Sequence, residues 1–241
     1  SERVNQALFC DTLSISSERS GFLKILKKDG YPGWIDKRFV TICSKKYTGE
    51  FNKKCNFVVT AKTAKIYASQ KLELPSMILY GTKLYKVKES KNQILFKTVT
   101  DSRFYLTRTN VKPIKYTKNN LNRKFVIEAK RFLDIPYLWG GISSFGFDCS
   151  GLIQTILGRF GIDIPRDTKD QIKSGKRVEP GNIRTGDLLF FNRHVGFAIG
   201  KKKIIHSSVG GNGVQINSLD PADDDFRKDL QDTFKQARRI I

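Results

Sequence analysis

Cys149 stands between Asp148 and Ser150-Gly151, directly ahead of the amphipathic run LIQTIL at 152–157. A thiol there would open a helix, where unpaired backbone N–H groups and the helix dipole favour the thiolate. The chain has only two histidines, His194 and His206, both downstream on strand-like segments. A cysteine nucleophile needs a base that becomes its imidazolium partner, and a third group to orient that base. His194 begins the run HVGFAIG and His206 lies on the following one, so a hairpin through 200–203 brings the two imidazoles into register. Either histidine alone would read as a structural or surface residue. Both together, after a helix-capping cysteine, predict a cysteine peptidase.

The elements that must position these groups read as an α+β domain. Phe125, Ala129, Phe132 and Leu133 share one helical face, and Pro136 stops that helix. The Cys149 helix is expected to end near Gly158 or Gly161. Strands are expected at 187–191, 195–199, 203–207 and 214–217, and a helical tail rich in Asp and Lys at 223–238. Upstream, to about Lys115, short β-branched and aromatic runs at 22–26, 56–60, 83–87 and 94–99 alternate with turn signals such as Asp29-Gly30 and Pro32-Gly33. Such a rhythm means small barrels or sandwiches. The polar, lysine-rich stretch 44–54 reads as the seam between two of them, with Trp34 as a core aromatic of the first.

The chain's 241 residues hold one large domain or a few small ones, and its net charge is +21. That charge would draw the protein to polyanions, but the basic residues are spread along the whole chain, which speaks against nucleic acid as a partner. No apolar stretch is long enough to span a bilayer, and the first residues do not read as a signal peptide. Cytoplasmic residence is therefore the expectation, with a periplasmic or secreted site the alternative if a leader was removed. Cys10, Cys43, Cys55 and Cys149 form no CxxC pair, so zinc is not expected, and the first three read as small buried apolar residues. No residue cluster calls for a metal or another cofactor.

The blocks YLWGG at 137–141, DCSG at 148–151, IPRD at 164–167, GDLLFF at 186–191 and HVG at 194–196 resemble the NlpC family of papain-like cell-wall peptidases. The resemblance covers about 121–219, and within the family it extends to γ-D-glutamyl-L-diamino acid endopeptidases with N-terminal SH3-like domains, the YkfC type. The blocks VNQAL at 4–8 and YPGW at 31–34 resemble that subgroup as well. The implied layout is an SH3-like β domain at 1–45, a second at 55–115 and the peptidase domain at 120–241.

The resemblance implies Cys149 as nucleophile, His194 as general base and His206 as the residue fixing its ring. Tyr137 and the Cys149 backbone N–H would hold the oxyanion, and Trp139 would line the cleft. The subgroup's substrates carry a free N-terminal L-Ala, whose ammonium would be met by Asp148, Asp11 and Tyr31. The D-glutamate carboxylate would fall to Ser150, Thr168 and Arg166. Asp148 reads equally as a helix cap, Tyr31 as a packed aromatic and Arg166 as an ion-pair former. The expected activity is cleavage of the γ-D-Glu–diamino acid bond in murein tripeptides or tetrapeptides during peptidoglycan recycling. Two alternatives stand beside it: an exported hydrolase of intact peptidoglycan, and a non-catalytic muropeptide-binding module.

Overall fold

The computed structural model describes residues 2–68, 74–114 and 120–241. The chain forms two compact units. One runs from Ala7 to Lys115 and takes in most of both expected β domains; the other joins the residues up to Gln6 to Tyr116–Ile241. The expected boundary between the second β domain and the peptidase domain, at 115–119, lies outside the described residues.

The Ala7–Lys115 unit opens with an antiparallel meander of β1 (Leu13–Arg19), β2 (Phe22–Lys27) and β3 (Pro32–Asp36). Alternation along β2 buries Leu23 and Ile25 and leaves Phe22, Lys24 and Leu26 outward. Trp34, expected in a core, pairs in register with Lys24 on the outward face and is 53% exposed. The stretch expected as a polar seam is instead helix α1 (Lys45–Lys54). Ser44 caps it by accepting from the Tyr47 N–H, and Phe51 is its buried anchor, its ring 5.6 Å from that of Tyr85. A lysine-rich run can be helical when one apolar residue is seated and the polar ones face water.

Seven further strands follow: β4 (Cys55–Val59), β5 (Thr63–Lys65), β6 (Met77–Leu79), β7 (Lys83–Glu89), β8 (Gln93–Lys97), β9 (Arg103–Thr107) and β10 (Val111–Pro113). Five make an antiparallel sheet in the order β10-β4-β7-β8-β9, and β5 pairs with β6. Their core is Phe57, Val59, Ile78, Phe96, Phe104 and Leu106. Cys10, Cys43 and Cys55 are free thiols, half-buried rather than fully enclosed.

In the second unit, α2 (Leu121–Lys130) precedes a small hairpin of β11 (Ile142–Ser143) and β12 (Gly146–Phe147), and then α3 (Cys149–Arg159) and α4 (Thr168–Gln171). The remaining elements are β13 (Lys176–Val178), β14 (Leu188–Phe191), β15 (His194–Ile199), β16 (Lys203–Ser208), β17 (Gly213–Ser218), α5 (Lys228–Asp232) and β18 (Gln236–Arg239). Six strands form one antiparallel sheet in the order β13-β18-β14-β15-β16-β17. Helices α2 and α3 pack against β15 and β16. The Phe125 ring joins those layers, 5.9 Å from Phe197 and 5.4 Å from Phe160. The tail expected as a helix is mostly not one. Its last part inserts as β18 between β13 and β14, with Ala237 fully buried, and only 228–232 is helical. Pairing with two strands there satisfies backbone groups that a short, isolated, charged helix would leave to water.

Candidate active site

Cys149 is the first residue of α3. Asp148 is the N-cap, in extended backbone, and its Oδ1 accepts from the Gly151 N–H at 2.7 Å. The sulfur is nearly buried, and Thr168 Oγ1 lies 3.8 Å away. Burial pushes the Cys149 thiol up, and the Asp148 carboxylate adds to this; the Thr168 hydroxyl and the backbone groups of Val195 and Ser150 pull the other way. The pull toward the thiolate expected of a helix N-terminus is opposed here by burial. Removal from water and the helix end thus act on the thiol in opposite directions, with burial the larger.

The two histidines and Asn217 lie diagonally across three adjacent strands. The pairing of Phe197 with Ile205 sets His206 opposite Gly196, one alternate position from His194. The pairing of His206 with Gln215 places Asn217 one alternate position further on. All three project from one face of the sheet because strand residues alternate. His194 Nε2 is 2.7 Å from His206 Nδ1, with the rings perpendicular and 4.9 Å apart. His206 Nε2 is 2.8 Å from Asn217 Oδ1. Burial holds His194 down to about 3, helped by neighbouring His206. Burial likewise holds His206 at about 4, against the opposing hydrogen bond that it donates to Asn217 Oδ1. Near pH 7 both rings are neutral, one donor and one acceptor nitrogen each.

Asp148, Ser150 and Arg166 hold one another. The Asp148 carboxylate accepts from Arg166 Nη1 and Nη2, from Ser150 Oγ and from the Gly140 and Gly151 N–H groups. Arg166 Nη1 also donates to Ser150 Oγ at 2.8 Å, and Arg166 Nε donates to Asn5 Oδ1 at 3.2 Å. With side chains 2% and 9% exposed, Arg166 and Asp148 are a buried, bidentate pair. Breaking such a pair from one side costs about 3–5 kcal/mol. Asp148 caps α3 and, with Arg166, ties it to the Gly140 turn, and the Ser150 hydroxyl is engaged in the same network.

Tyr137 is half-buried, its phenol pushed up to about 12 by burial and then by Cys149, so it stays a donor at any working pH. Trp139 is 55% exposed, with its carbonyl accepting from Arg3 Nε. Thr168, at the start of α4, touches the sulfur, and Asp167 just before it keeps a side chain 36% exposed, 3.9 Å from Lys169 Nζ. Tyr31 and Asp11 belong to the Ala7–Lys115 unit. Tyr31 follows an Asx turn on Asp29, and Asp11 closes a turn by accepting from the Leu8 N–H at 2.9 Å. Sequence reasoning did not single out Asn217, Asn5 or Asp167. Asn217 could have been found from its alternate-strand offset to His206; Asn5 could not, since nothing local ties it to Arg166. Among the described residues, no group of three or more His, Cys, Asp or Glu could hold a metal, and no helix is long and apolar enough to cross a membrane.

Residues 134–226, the span carrying Cys149, His194 and His206, match the NlpC/P60 family. The chain is 31% identical over 233 residues to the γ-D-glutamyl-L-lysine dipeptidyl-peptidase of Bacillus subtilis (strain 168), covering 89% of this chain and 75% of that one. The chain belongs to the NlpC/P60 family. A second γ-D-glutamyl-L-lysine dipeptidyl-peptidase, from Bacillus cereus (strain ATCC 10987 / NRS 248), is 30% identical over 243 residues, 89% of this chain and 70% of that one. The crystal structure of an NlpC/P60 family protein from Bacillus cereus ATCC 10987 superimposes with a TM-score of 0.85 at 27% identity, covering 98% of this chain and 81% of that one. The NlpC/P60 fold, helices packed on an antiparallel sheet, is the one this chain adopts, and the family is one of peptidases.

Proposed function

We propose that this NlpC/P60 protein hydrolyses the γ-D-glutamyl–diamino acid bond of murein tripeptides or tetrapeptides with a free N-terminal L-Ala. The observation that carries the reading is the extent of the likeness. Alignment to two γ-D-glutamyl-L-lysine dipeptidyl-peptidases runs over 89% of the chain, well beyond the peptidase domain. On this reading the Ala7–Lys115 unit is built from SH3-like domains, and its all-strand sheets with tight turns are consistent with that.

In the proposed reaction Cys149 Sγ attacks the γ-carbonyl carbon while its proton passes to His194. A C–S bond forms, and the oxyanion accepts from the Cys149 backbone N–H and the Tyr137 hydroxyl, donors that meet charge arising only at the transition state. The amide C–N bond then breaks, His194 returns the proton to the departing amine, and a thioester remains. Water, deprotonated by His194, hydrolyses the thioester and regenerates the thiol. Thr168 supports placement of the substrate carboxylate. The resemblance gives the ammonium to Asp148, which also accepts from Arg166, and adds Ser150 and Arg166 to the carboxylate's recognition. The resemblance adds Asp11 and Tyr31 to the amine's recognition and Trp139 to the cleft. Peptidoglycan recycling in the cytoplasm completes the proposal.

Turnover of L-Ala-γ-D-Glu-L-Lys and its diaminopimelate counterpart, each with its N-acetyl form, tests it. Cleavage of the free-amine peptides, lost with Cys149→Ala, is expected; equal turnover of acetylated and free peptides would remove the free-amine claim. The +21 charge favours a second reading, action on intact anionic wall, and release of peptides from purified sacculi would establish it.

A further inference from the structure

We propose that Asn217 is a positioning residue that locks the tautomers of both histidines, so that His194 presents a bare Nδ1 as the base. The inference rests on the functional reading above only for what that base does. A histidine as third member of a cysteine–histidine pair brings a difficulty that an amide side chain would not. Neutral imidazole has two tautomers, and one of them donates where the other accepts. If His206 carried its proton on Nδ1, it would donate to His194 Nε2. The His194 proton would then sit on Nδ1, and its lone pair would be spent on His206, leaving no basic nitrogen on the ring's other side.

The hydrogen bonds around Asn217 exclude that arrangement by direction. Asn217 Nδ2 lies 3.4 Å from the Asp225 carbonyl, which can only accept, so the amide's NH₂ end is turned that way. Its Oδ1 therefore faces His206 Nε2 at 2.8 Å, and a carbonyl oxygen can only accept, which puts the His206 proton on Nε2. His206 Nδ1 is then a lone pair, and at 2.7 Å it accepts from His194 Nε2–H. The His194 lone pair is left on Nδ1. Every step is one donor meeting one acceptor, from the Asp225 backbone to the base. His206 is fully buried, so no solvent competes for its nitrogens. Arg227 and Asp229 are the charged groups acting on both rings, and they form a bidentate pair with each other at 2.7 and 2.8 Å, which leaves the polarity to Asn217. Metal-bound histidines are oriented by an outer partner in the same way.

The chain's two histidines make the test direct, because only two imidazole rings contribute. Long-range ¹H–¹⁵N correlation spectra of the Cys149→Ala protein near pH 7.5 are expected to show both rings protonated at Nε2 and bare at Nδ1. In Cys149→Ala/Asn217→Leu, His206 should populate the Nδ1–H form and His194 should lose its single tautomer. With Cys149 intact, Asn217→Leu should lower kcat roughly 10–10³-fold with KM within about twofold. That is less than the ~10⁴ that a reversed tautomer costs a serine triad, since here it is released rather than reversed. Asn217→Asp keeps an acceptor toward His206. It should retain the tautomers and most of kcat while the acidic limb of the pH profile moves up, as the carboxylate raises the proton affinity of His206. An Nδ1–H on His206 in the Cys149→Ala protein overturns the proposal, as do unchanged tautomers in the leucine variant or a loss confined to KM. If the leucine variant does not fold, the parent spectrum and the aspartate pH profile decide. The spectra need no turnover. An active Cys149→Ala protein would therefore sink the functional reading while leaving the tautomer lock to stand or fall by itself.

Discussion

Two buried neutral imidazoles make the folded protein sensitive to acid. His194 and His206 titrate at about 3 and about 4 in the fold, against an ordinary 6.5. As pH falls below 6.5 the unfolded chain takes up protons that the folded one refuses, so stability is full above that pH and is lost between 6.5 and the folded values. The slope approaches about 1.4 kcal/mol per pH unit for each ring. Urea midpoints measured from pH 7.5 to 4.5 should fall more steeply for the wild type than for His194→Gln/His206→Gln; parallel curves would refute it. At this scale the residue types for the chemistry were legible: one cysteine with a helix-opening context and two histidines. Their protonation was not. The helix end argued for a thiolate, but burial of Cys149 is a tertiary property, and so is the commitment of Asp148 to Arg166 from 18 residues away.

The elements show how a local rule and its exceptions divide. Strands β14 to β17 lie within a residue or two of where alternation placed them, and α3 opens at the cysteine, because patterning and capping are written locally. The tail at 223–238 misled because acidic and basic residues suit a helix, while its last residues find a vacant place between β13 and β14. The N-terminal residues misled further. Chain order put them in a β domain, yet Asn5 and Gln6 bond Arg166 and the Ile142 N–H beside the Gly140 turn. Gly140 has φ +74, and a Cβ there would meet the Arg3 carbonyl oxygen at 2.8 Å and the Val4 carbonyl carbon at 2.9 Å. Gly140→Ala should cost about 1–2 kcal/mol in backbone strain and push the segment off the turn. A lowered Tm with faster proteolysis before Gln6 is the expected outcome. An unchanged Tm and unchanged protection would show that the segment is not held there.

For the whole molecule, the excess of 44 basic over 23 acidic residues is a solution property more than a feature of either unit. It predicts association with purified anionic wall polymer at low salt, falling away as ionic strength approaches ~1 M, where the Debye length is about 3 Å. Binding in a pull-down that survives high salt would point instead to a specific site. The sequence by itself determined the nucleophile's candidate, the two histidines, the order of strands around them and the family, since all depend on residue type and on spacing between chain neighbours. Only the tertiary structure decided which carboxylate pairs with an arginine, that the thiol is buried, that the chain's first residues brace the Gly140 turn, and that Asn217 stands behind the two rings. The physical reason is common to all four: burial and hydrogen-bond direction are set by which residues meet across the fold, and chain spacing does not encode that.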